Sequence, residues 1–481
     1  LENTREFGLV ISAGLGGLDG ALADCSHGQD RACVHASTEL TDAQDFFLRF
    51  RRTLAYRKLA AISGRDGTPL PDAQLEAVFA RLLDLAGRQS TGGPGAPFVL
   101  DVLELDPVQV GDAVTARAAR CEFGAPAAGR LPRPLHKINK LVHPASIGLV
   151  GVSASGMNFG RIILRNLMGS GYPREQLRVI RPGATEIDGV QCVASLQALD
   201  RKLDLLIVAI AADAVYGLVD EILATDAAEA VMLIPGGLGE TPASREPAAA
   251  LAARINAAHA GDGGGPIFLG ANCLGVVSHP GSYDSWFIPL ERLPKLRKKP
   301  ERNSVMLSQS GAVMITRISQ NPWLDPRYML AVGNQIDLTH GDLLGYFADR
   351  PEIETIGVYI EGFRERDGLD FVKAVRRAVQ NGKQVIVYKA GTTASGADAV
   401  MAHTASIAGD PELFDSVVRH AGAIVAPDFT AFDDLLYLAG ALHRKQIGGR
   451  RLGAISGAGF EAVGMADSLE AGACSMEMGR L

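Results

Sequence analysis

The sequence predicts an α/β protein in which strands and helices alternate along most of the chain. Short apolar runs of the kind that form buried strands recur from residue 147 onward, and helix-like stretches separate them. Glycine-containing turns follow two of these runs, at 151–160 and 308–312, and each turn opens a helical pattern. Apolar residues make up 47% of the chain and charged residues 21%, a composition that allows large buried cores.

The composition also limits the partners that the protein can have. A net charge of −7 gives no basis for binding nucleic acid or an anionic membrane. The cysteines form no Cys-x-x-Cys pair and no metal-ligand spacing, which is typical of reduced thiols in the cytoplasm. No apolar run in this sequence is long enough to span a membrane, and we expect no signal peptide. We therefore predict a cytoplasmic protein without a nucleic-acid or membrane partner.

The first 127 residues predict a unit of strands and two helices. A strand pattern at 7–13 is followed by the sequence GLGG. The two helical patterns and two closing strand patterns lie at 42–52, 72–85, 98–107 and 113–123. A basic, proline-bounded linker is expected at 128–144. The chain starts without Met in a strand-like pattern, which predicts a piece of a longer polypeptide.

Residues 145–280 predict a parallel, doubly wound domain. The strand pattern at 147–152 leads into G-V-S-A-S-G-M-N-F-G and a helix from Arg161. Backbone amides at such a turn can hold phosphate. The pattern is not the dinucleotide motif G-x-G-x-x-G, which argues against an ordinary NAD-dependent enzyme.

After a connector at 281–301, residues 302–447 repeat this architecture. A strand is followed by SQSGA, and Glu361 ends a later strand pattern, TIGVYIEG. His403 follows the strand pattern QVIVYKA on a predicted small-residue loop, at the sheet edge where open α/β sheets place their chemistry. A loop histidine taken alone equally fits a capping or solvent-facing role. Residues 448–481 begin a further strand–turn–helix unit.

Five motifs, SQSGA, GNQID, YIEG, YKAG and AHTASIAGD, occur in the order found in nucleoside-diphosphate-forming acyl-CoA synthetases. The chain resembles this family, the ADP-forming type of acetate–CoA ligase within the succinyl-CoA synthetase superfamily. The resemblance implies a Rossmann-like CoA-binding domain at 145–280 and a flavodoxin-like ligase domain at 302–447. The C-terminal half of an ATP-grasp domain would precede them at 1–127, and the first unit of a second flavodoxin-like domain would follow at 448–481.

The resemblance also implies roles for individual residues. His403 would be transiently phosphorylated, and Glu361 would accept a hydrogen bond from its other ring nitrogen. Phosphate would be bound by two helix-opening turns, comprising Ser308, Gln309, Ser310, Gly311, Ser456, Gly457 and Gly459. CoA would be bound along one sheet edge by Gly151, Ser153, Ser155, Asn158, Gly160, Arg181, Pro182, Ala211, Gly236, Asn272 and Cys273.

The implied nucleotide is ATP or ADP with Mg²⁺. Asp106 stands where the family usually has Asn as a Mg²⁺ ligand, Arg117 where it has a second carboxylate, and Ala21 where it often has Glu. Because the first half of the ATP-grasp fold is absent, we expect a homo-oligomer or association with that missing half.

The resulting hypothesis is an acid–CoA ligase that works through an acyl phosphate and a phosphohistidine. Two alternatives remain: a degenerate CoA-sensing module, and a lyase of the same superfamily that forms an acyl-CoA. The sequence does not identify the acid. Trp286 and Phe287 either shape an acyl pocket or pack a domain interface.

Overall fold

The computed structural model describes most of the chain and confirms the α/β class. The described residues are 1–16, 32–67, 70–89, 98–110, 113–125, 132–293, 295, 302–404, 409–442, 445–449, 451–453, 455–468 and 474–475. Residues 1–440 form one compact unit and residues 441–481 a second. Ala21 lies outside the described residues.

The N-terminal region is an antiparallel sheet in the order β3-β2-β1-β4-β5. Its strands are β1 (Glu2–Thr4), β2 (Gly8–Gly14), β3 (Cys33–Ser37), β4 (Val99–Val110) and β5 (Ala113–Gly124). Its helices are α1 (Ala43–Phe50), α2 (Leu54–Asp66) and α3 (Asp72–Gln89). Ile11 of β2 belongs to the same core as Phe46 of α1 and Phe79 of α3, because each helix buries its apolar face.

A second sheet has the order β12-β11-β10-β6-β7-β9-β8 and is parallel except for the β8–β9 pair. Its strands are β6 (Ile147–Val150), β7 (Leu177–Ile180), β8 (Glu186–Ile187), β9 (Val190–Val193), β10 (Leu203–Val208), β11 (Ala228–Leu233) and β12 (Ile267–Gly270). The helices of this region are α4 (Ile138–Val142), α5 (Phe159–Gly169), α6 (Ala212–Thr225) and α7 (Pro242–His259). Since β7 and β10 lie on opposite sides of β6, the winding direction reverses at the carboxyl end of β6.

A third sheet has the order β14-β13-β16-β15-β17-β18-β19, and its last five strands are parallel. Its strands are β13 (Val276–Ser278), β14 (Tyr283–Asp284), β15 (Ser304–Ser308), β16 (Tyr328–Ala331), β17 (Thr355–Ile360), β18 (Gln384–Lys389) and β19 (Ile424–Ala426). The helices are α8 (Gly311–Gln320), α9 (His340–Ala348), α10 (Asp367–Gln380), α11 (Ala394–Thr404), α12 (Pro411–Ala421) and α13 (Phe429–Leu442). All six residues of β17 are buried, as expected for a central parallel strand covered on both faces.

The second and third sheets are joined by more than a connector. Strand β13 pairs antiparallel with β16, so the chain just after β12 extends the third sheet. Arg133, in the predicted linker, lies 2.7 Å from Asp342 and 3.2 Å from Asp337, both of which are buried residues of the third region. The predicted linker is therefore packed against the third region, which follows both of the domains that it was predicted to join.

The second unit contains a short parallel pair, β20 (Arg451–Leu452) and β21 (Cys474–Ser475), and helix α14 (Gly459–Asp467). No helix among the described residues is long and apolar enough to cross a membrane.

Candidate active site

The turn after β6 has the shape of a phosphate-binding turn. Gly151 has φ +95°, and a Cβ there would lie 2.2 Å from the carbonyl oxygen of Ala209, so only glycine fits. A Cβ on Gly160 would lie 2.5 Å from the Gly151 oxygen, which lets α5 approach the turn closely. Asn158 caps α5: its Oδ1 accepts from the amide of Arg161 at 3.0 Å, and its Nδ2 donates to the Gly151 oxygen at 2.7 Å.

Several amides of this turn are already used within it. The amide of Ser153 donates to Asn158 Oδ1 at 3.2 Å, and the amide of Gly156 donates to Ser153 Oγ at 3.1 Å. Ser155 is exposed at the tip of the turn. The side chains of Ser153 and Asn158 therefore build the turn, and the exposed stretch 154–157 is the part that a ligand can reach.

The other predicted CoA residues line the same edge of the second sheet, because they follow the carboxyl ends of parallel strands. Arg181 donates to the Val152 oxygen at 2.7 Å, which ties the end of β7 to the glycine turn. Pro182 is exposed beside it, and Ala211 is exposed before α6. A Cβ on Gly236 would lie 3.0 Å from Asn272 Oδ1, which brings these two residues together.

Cys273 is buried beneath this edge. It is 2% exposed, and its thiol donates to the Leu233 oxygen at 3.3 Å. Burial raises the pKa of the thiol to about 12, so it stays protonated. The geometry gives Cys273 the role of a small buried side chain beneath the predicted CoA site, and its contact with CoA stays a prediction.

The SQSGA turn lies between the second and third sheets. Ser308, Gln309 and Ser310 are all buried. The Ser308 hydroxyl donates to the Ser310 oxygen at 2.7 Å, which fixes the turn that opens α8. A Cβ on Gly311 would lie 2.6 Å from Cβ of Leu274, so this turn contacts the segment that carries Asn272 and Cys273.

Gln309 connects the turn to Glu361. Its side-chain oxygen accepts from the amides of Glu361 at 2.8 Å and Gly362 at 3.3 Å. Glu361 is 1% exposed, and the Tyr359 hydroxyl donates to its Oε1 at 3.2 Å. Burial, and next the charge of Glu361, raise the pKa of Tyr359, which keeps that hydroxyl protonated as a donor.

Lys389, at the end of β18, has a structural position. Its ammonium donates to the carbonyl oxygens of Glu361 and Ala390, each at 2.7 Å. Burial lowers the pKa of Lys389, and the charges of Glu6 and Glu361 oppose that shift. Because its donors are directed at backbone oxygens, Lys389 holds the ends of β17 and β18 together.

The GNQID motif bridges the two sheets, a role that the sequence analysis did not assign. Gly333 has φ +64°, and the amide of Asn334 donates to the Ala271 oxygen at 2.9 Å. Gln335 donates to the Gly362 oxygen at 3.2 Å, and its Oε1 accepts from Nδ1 of the buried His340 at 3.0 Å. The place of GNQID in the ordered series of motifs was the available signal. The sequence could not show its hydrogen-bond partners, because they are distant along the chain.

The segment that carries His403 differs from the predicted loop. Residues Ala394–Thr404 form α11, so His403 lies in the last turn of a helix. The Thr393 hydroxyl accepts a hydrogen bond from the amide of Gly396 at 3.1 Å and so caps the helix. The alanines that follow have a high helix propensity. The side chain of His403 lies outside the described residues, so its hydrogen bond to Glu361 stays a prediction.

The turn before α14 belongs to the second unit. The Ser456 hydroxyl hydrogen-bonds to the Ala458 oxygen at 3.1 Å and to Glu461, within its own turn. Gly457 and Gly459 flank Ala458 at the start of the helix. The predicted phosphate-binding role of these three residues stays a prediction.

Asp106 does not fit a magnesium site. Its carboxylate pairs with the guanidinium of Arg117 on the neighbouring strand, and both side chains are exposed. Among the described residues, no group of three or more His, Cys, Asp or Glu side chains is arranged to hold a metal ion. A guanidinium next to Asp106 neutralises the charge that would attract Mg²⁺.

The two aromatic residues considered for an acyl pocket have different environments. Trp286 is 0% exposed and lies in the main core. Phe287 stacks on Phe159 with ring centroids 4.6 Å apart, and Phe159 is exposed beside the glycine turn. Trp286 therefore packs the interior, and Phe287 lies close to the predicted CoA site.

Comparison with known proteins agrees with this architecture. Residues 145–279 match the model of the CoA binding domain, and residues 301–439 match the succinyl-CoA ligase like flavodoxin domain. The chain is 26% identical over 330 residues to the alpha subunit of ADP-forming acetate–CoA ligase II of Pyrococcus furiosus, covering 68% of this chain and 67% of that protein. It is 26% identical over 340 residues to the ADP-forming acetate–CoA ligase of Methanocaldococcus jannaschii, covering 69% of this chain and 44% of that protein.

A solved structure shows the same likeness. It is the dinucleotide-forming acetyl-coenzyme A synthetase 1 of Ca. Korarchaeum cryptofilum in complex with phosphate and ADP. The TM-score is 0.57 and the identity 28%, over 66% of this chain and 65% of that chain.

The fold and its two turns thus define a protein in which a CoA-binding domain precedes a ligase domain of the succinyl-CoA type. The chain is therefore similar to ADP-forming acetate–CoA ligases and contains two of the domain types that its motifs predicted. It spans between 44% and 67% of the length of the two curated relatives described above.

Proposed function

We propose that this chain is an acid–CoA ligase that takes part in forming an acyl-CoA from a carboxylic acid, CoA and ATP, with ADP and phosphate as products. The observation that carries the proposal is the set of hydrogen bonds at the carboxyl ends of the strands of the third sheet. There Gln309 binds the backbone at Glu361, and the next strand, β18, leads to His403. The names of the relatives, ADP-forming acetate–CoA ligases, support the reaction class.

The chemistry needs a phosphoryl relay because carboxylate oxygen is a poor leaving group. In the direction of acid release, phosphate oxygen attacks the thioester carbonyl, and the C–S bond breaks to give an acyl phosphate and CoA. The His403 ring nitrogen then attacks phosphorus, and the P–O bond to the acyl group breaks, which releases the carboxylate. Finally the phosphoryl group passes from nitrogen to a terminal oxygen of ADP. Imidazole suits this relay because its neutral form is nucleophilic near pH 7.

Each group of residues has a role in this scheme. The turn 151–160 and the edge residues Arg181 and Asn272 would hold CoA. Glu361 would accept a hydrogen bond from the N–H of the other imidazole nitrogen, which leaves the attacking nitrogen with its lone pair. The amino end of α8 would stabilise the phosphoryl group through its amides and helix dipole, contributing about 0.3–1 kcal/mol.

The nucleotide step has less support in this chain. Because Asp106 is paired with Arg117, we assign no Mg²⁺-dependent step to these residues. We propose that the segment completing an ATP-grasp fold comes from another polypeptide, as the name "subunit alpha" of one relative suggests. The cytoplasm, where acyl-CoA and nucleotide are present, is the proposed location.

The test is a labelling experiment on the half-reaction that needs no nucleotide. The protein is incubated with labelled phosphate and with acetyl-CoA, isobutyryl-CoA or phenylacetyl-CoA in separate reactions. We expect an acid-labile, base-stable label that is lost in His403→Asn and kept in the exposed-histidine control His136→Asn. Absence of label with every acyl-CoA, while CoA itself still binds, would leave a CoA sensor as the better interpretation.

A further inference from the structure

The tip of the first hairpin of the chain lies at the carboxyl edge of the third sheet. Phe7, between β1 and β2, is 1% exposed and packs edge-on against Phe363, with ring centroids 5.6 Å apart. The Arg5 guanidinium donates to the Phe363 oxygen at 2.9 Å, and the amide of Leu369 donates to the Glu6 oxygen at 3.0 Å. The N-terminal region is therefore anchored directly beside Glu361.

Glu6 is a buried carboxylate within this anchor. It is 5% exposed, and its Oε1 accepts from Arg5 at 2.8 Å. Burial raises the pKa of Glu6, and the charges of Arg5 and Lys389 act in the opposite direction. Burying a carboxylate costs free energy unless its partners compensate, and the reaction scheme above gives this residue no role.

The carboxylate of Glu6 lies against Gly409. A Cβ built on Gly409 would lie 2.1 Å from Glu6 Oε2 and 2.5 Å from its Cδ. Glu6 therefore occupies the space that any side chain at position 409 would need.

We call residues 390–409 the histidine segment, and Gly409 is its last residue. The following residue, Asp410, caps α12 by accepting from the amide of Glu412 at 2.9 Å. At the other end of the segment, the ammonium of Lys389 binds the carbonyl oxygens of Glu361 and Ala390. Glu6 therefore lies against Gly409, and its charge also opposes the lowering of the pKa of Lys389.

We propose that Glu6 is a positioning residue for the histidine segment: its carboxylate fixes Gly409 and so sets where His403 is presented relative to Glu361. This inference rests on the proposed function of His403 as the phosphoryl carrier. It makes the N-terminal region, in which Asp106 is paired with Arg117, part of the phosphohistidine half-reaction.

The experiment measures the initial rate of His403 labelling from labelled phosphate and the same three acyl-CoA compounds. Glu6→Ala removes the contact, Glu6→Gln keeps its shape, and Gly409→Ala introduces the overlap with Glu6. We expect Glu6→Ala and Gly409→Ala each to lower the labelling rate about tenfold or more, with Glu6→Gln recovering most of the activity. In the double variant Glu6→Ala/Gly409→Ala the overlap is gone, so its rate should equal that of Glu6→Ala alone.

The control variant is Glu39→Ala. Glu39 pairs with Lys373 across the same N-terminal interface, and the three atoms nearest a Cβ built on Gly409 all belong to Glu6. We expect the labelling rate of Glu39→Ala to stay within twofold of the wild type. Hydrogen exchange at 409–413 should increase in Glu6→Ala and not in Glu39→Ala.

Two results would overturn the inference while leaving the proposed function intact. One is wild-type labelling in Glu6→Ala, and the other is equal loss in Glu39→Ala and Glu6→Ala. Additive losses in the double variant would also contradict it, because they would show that the two positions act separately. An unlabelled wild-type protein would overturn the phosphohistidine itself and this inference with it.

Discussion

The side-chain oxygen of Gln309 accepts a hydrogen bond of 2.8 Å from the backbone amide of Glu361. The two residues directly follow the neighbouring parallel strands β15 and β17, so their bond fixes the turn before α8 against the end of β17. This pair is the structural centre of the proposed phosphohistidine site.

Replacing Gln309 by leucine should destabilise the fold and impair labelling of His403. The change leaves the buried amides of Glu361 and Gly362 without this acceptor, at a cost of about 1–3 kcal/mol for each unsatisfied group. Urea unfolding measures the loss, with Gln384→Leu as the control because Gln384 is exposed on the same sheet. Equal stability of the two variants would show that the Gln309 bonds contribute nothing.

Gly151→Ala should weaken CoA binding by tenfold or more. The positive φ alone costs about 1–2 kcal/mol for a residue with a side chain, and the overlap with the Ala209 oxygen adds to it. Gly171 is a matched control: its φ is +91°, and no atom lies within 4 Å of a Cβ built there. Calorimetric titration with CoA should show normal affinity for Gly171→Ala; a similar loss in both variants would assign the effect to backbone strain alone.

Mg²⁺ should leave the melting temperature of the wild-type protein unchanged. Arg117→Ala should alter the unfolding free energy by less than about 1 kcal/mol, because the pair with Asp106 is exposed. Lys137→Ala provides the contrast, since its buried ammonium binds Glu229 at 2.7 Å and its loss should cost roughly 3 kcal/mol. A Mg²⁺-dependent rise in melting temperature that disappears in Asp106→Ala would refute this prediction.

Stability should depend on pH through His340. Burial lowers the pKa of this imidazole to about 3, below the usual value of about 6.5 in an unfolded chain. Between these two pH values the unfolded state therefore binds more protons than the folded state. The contribution of His340 to the free energy of unfolding is full above pH 6.5 and is lost as the pH falls towards 3. The slope approaches about 1.4 kcal/mol per pH unit.

Unfolding free energies of the wild type and His340→Gln at pH 4.5 to 7.5 measure this slope. The variant His340→Gln should lose the part of the slope that is due to His340. The control His136→Gln, at an exposed position, should keep the full slope. Parallel curves for the wild type and His340→Gln would contradict the prediction.

The sequence by itself determined the fold class, the order of the motifs and the resemblance to ADP-forming acyl-CoA synthetases. Apolar runs of strand length with glycine turns at their carboxyl ends predict a doubly wound sheet, because these signals are local. The positions of Gly151 and Gly160 were predictable for the same reason: each turn requires a residue without a side chain, and the requirement appears in the sequence as glycine. Glu361 was recognised at its strand end, where the third sheet places it.

The tertiary structure alone decided which distant residues contact one another. The bridge made by Asn334 and Gln335, the pairing of Asp106 with Arg117 and the contact of Glu6 with Gly409 all join residues far apart or on different strands. The helix at Ala394–Thr404 replaced a predicted loop because alanine propensity and the Thr393 cap outweighed the flexibility suggested by small residues. Such contacts depend on how the sheets pack against each other, and a packing arrangement leaves no periodic signal in the order of residues.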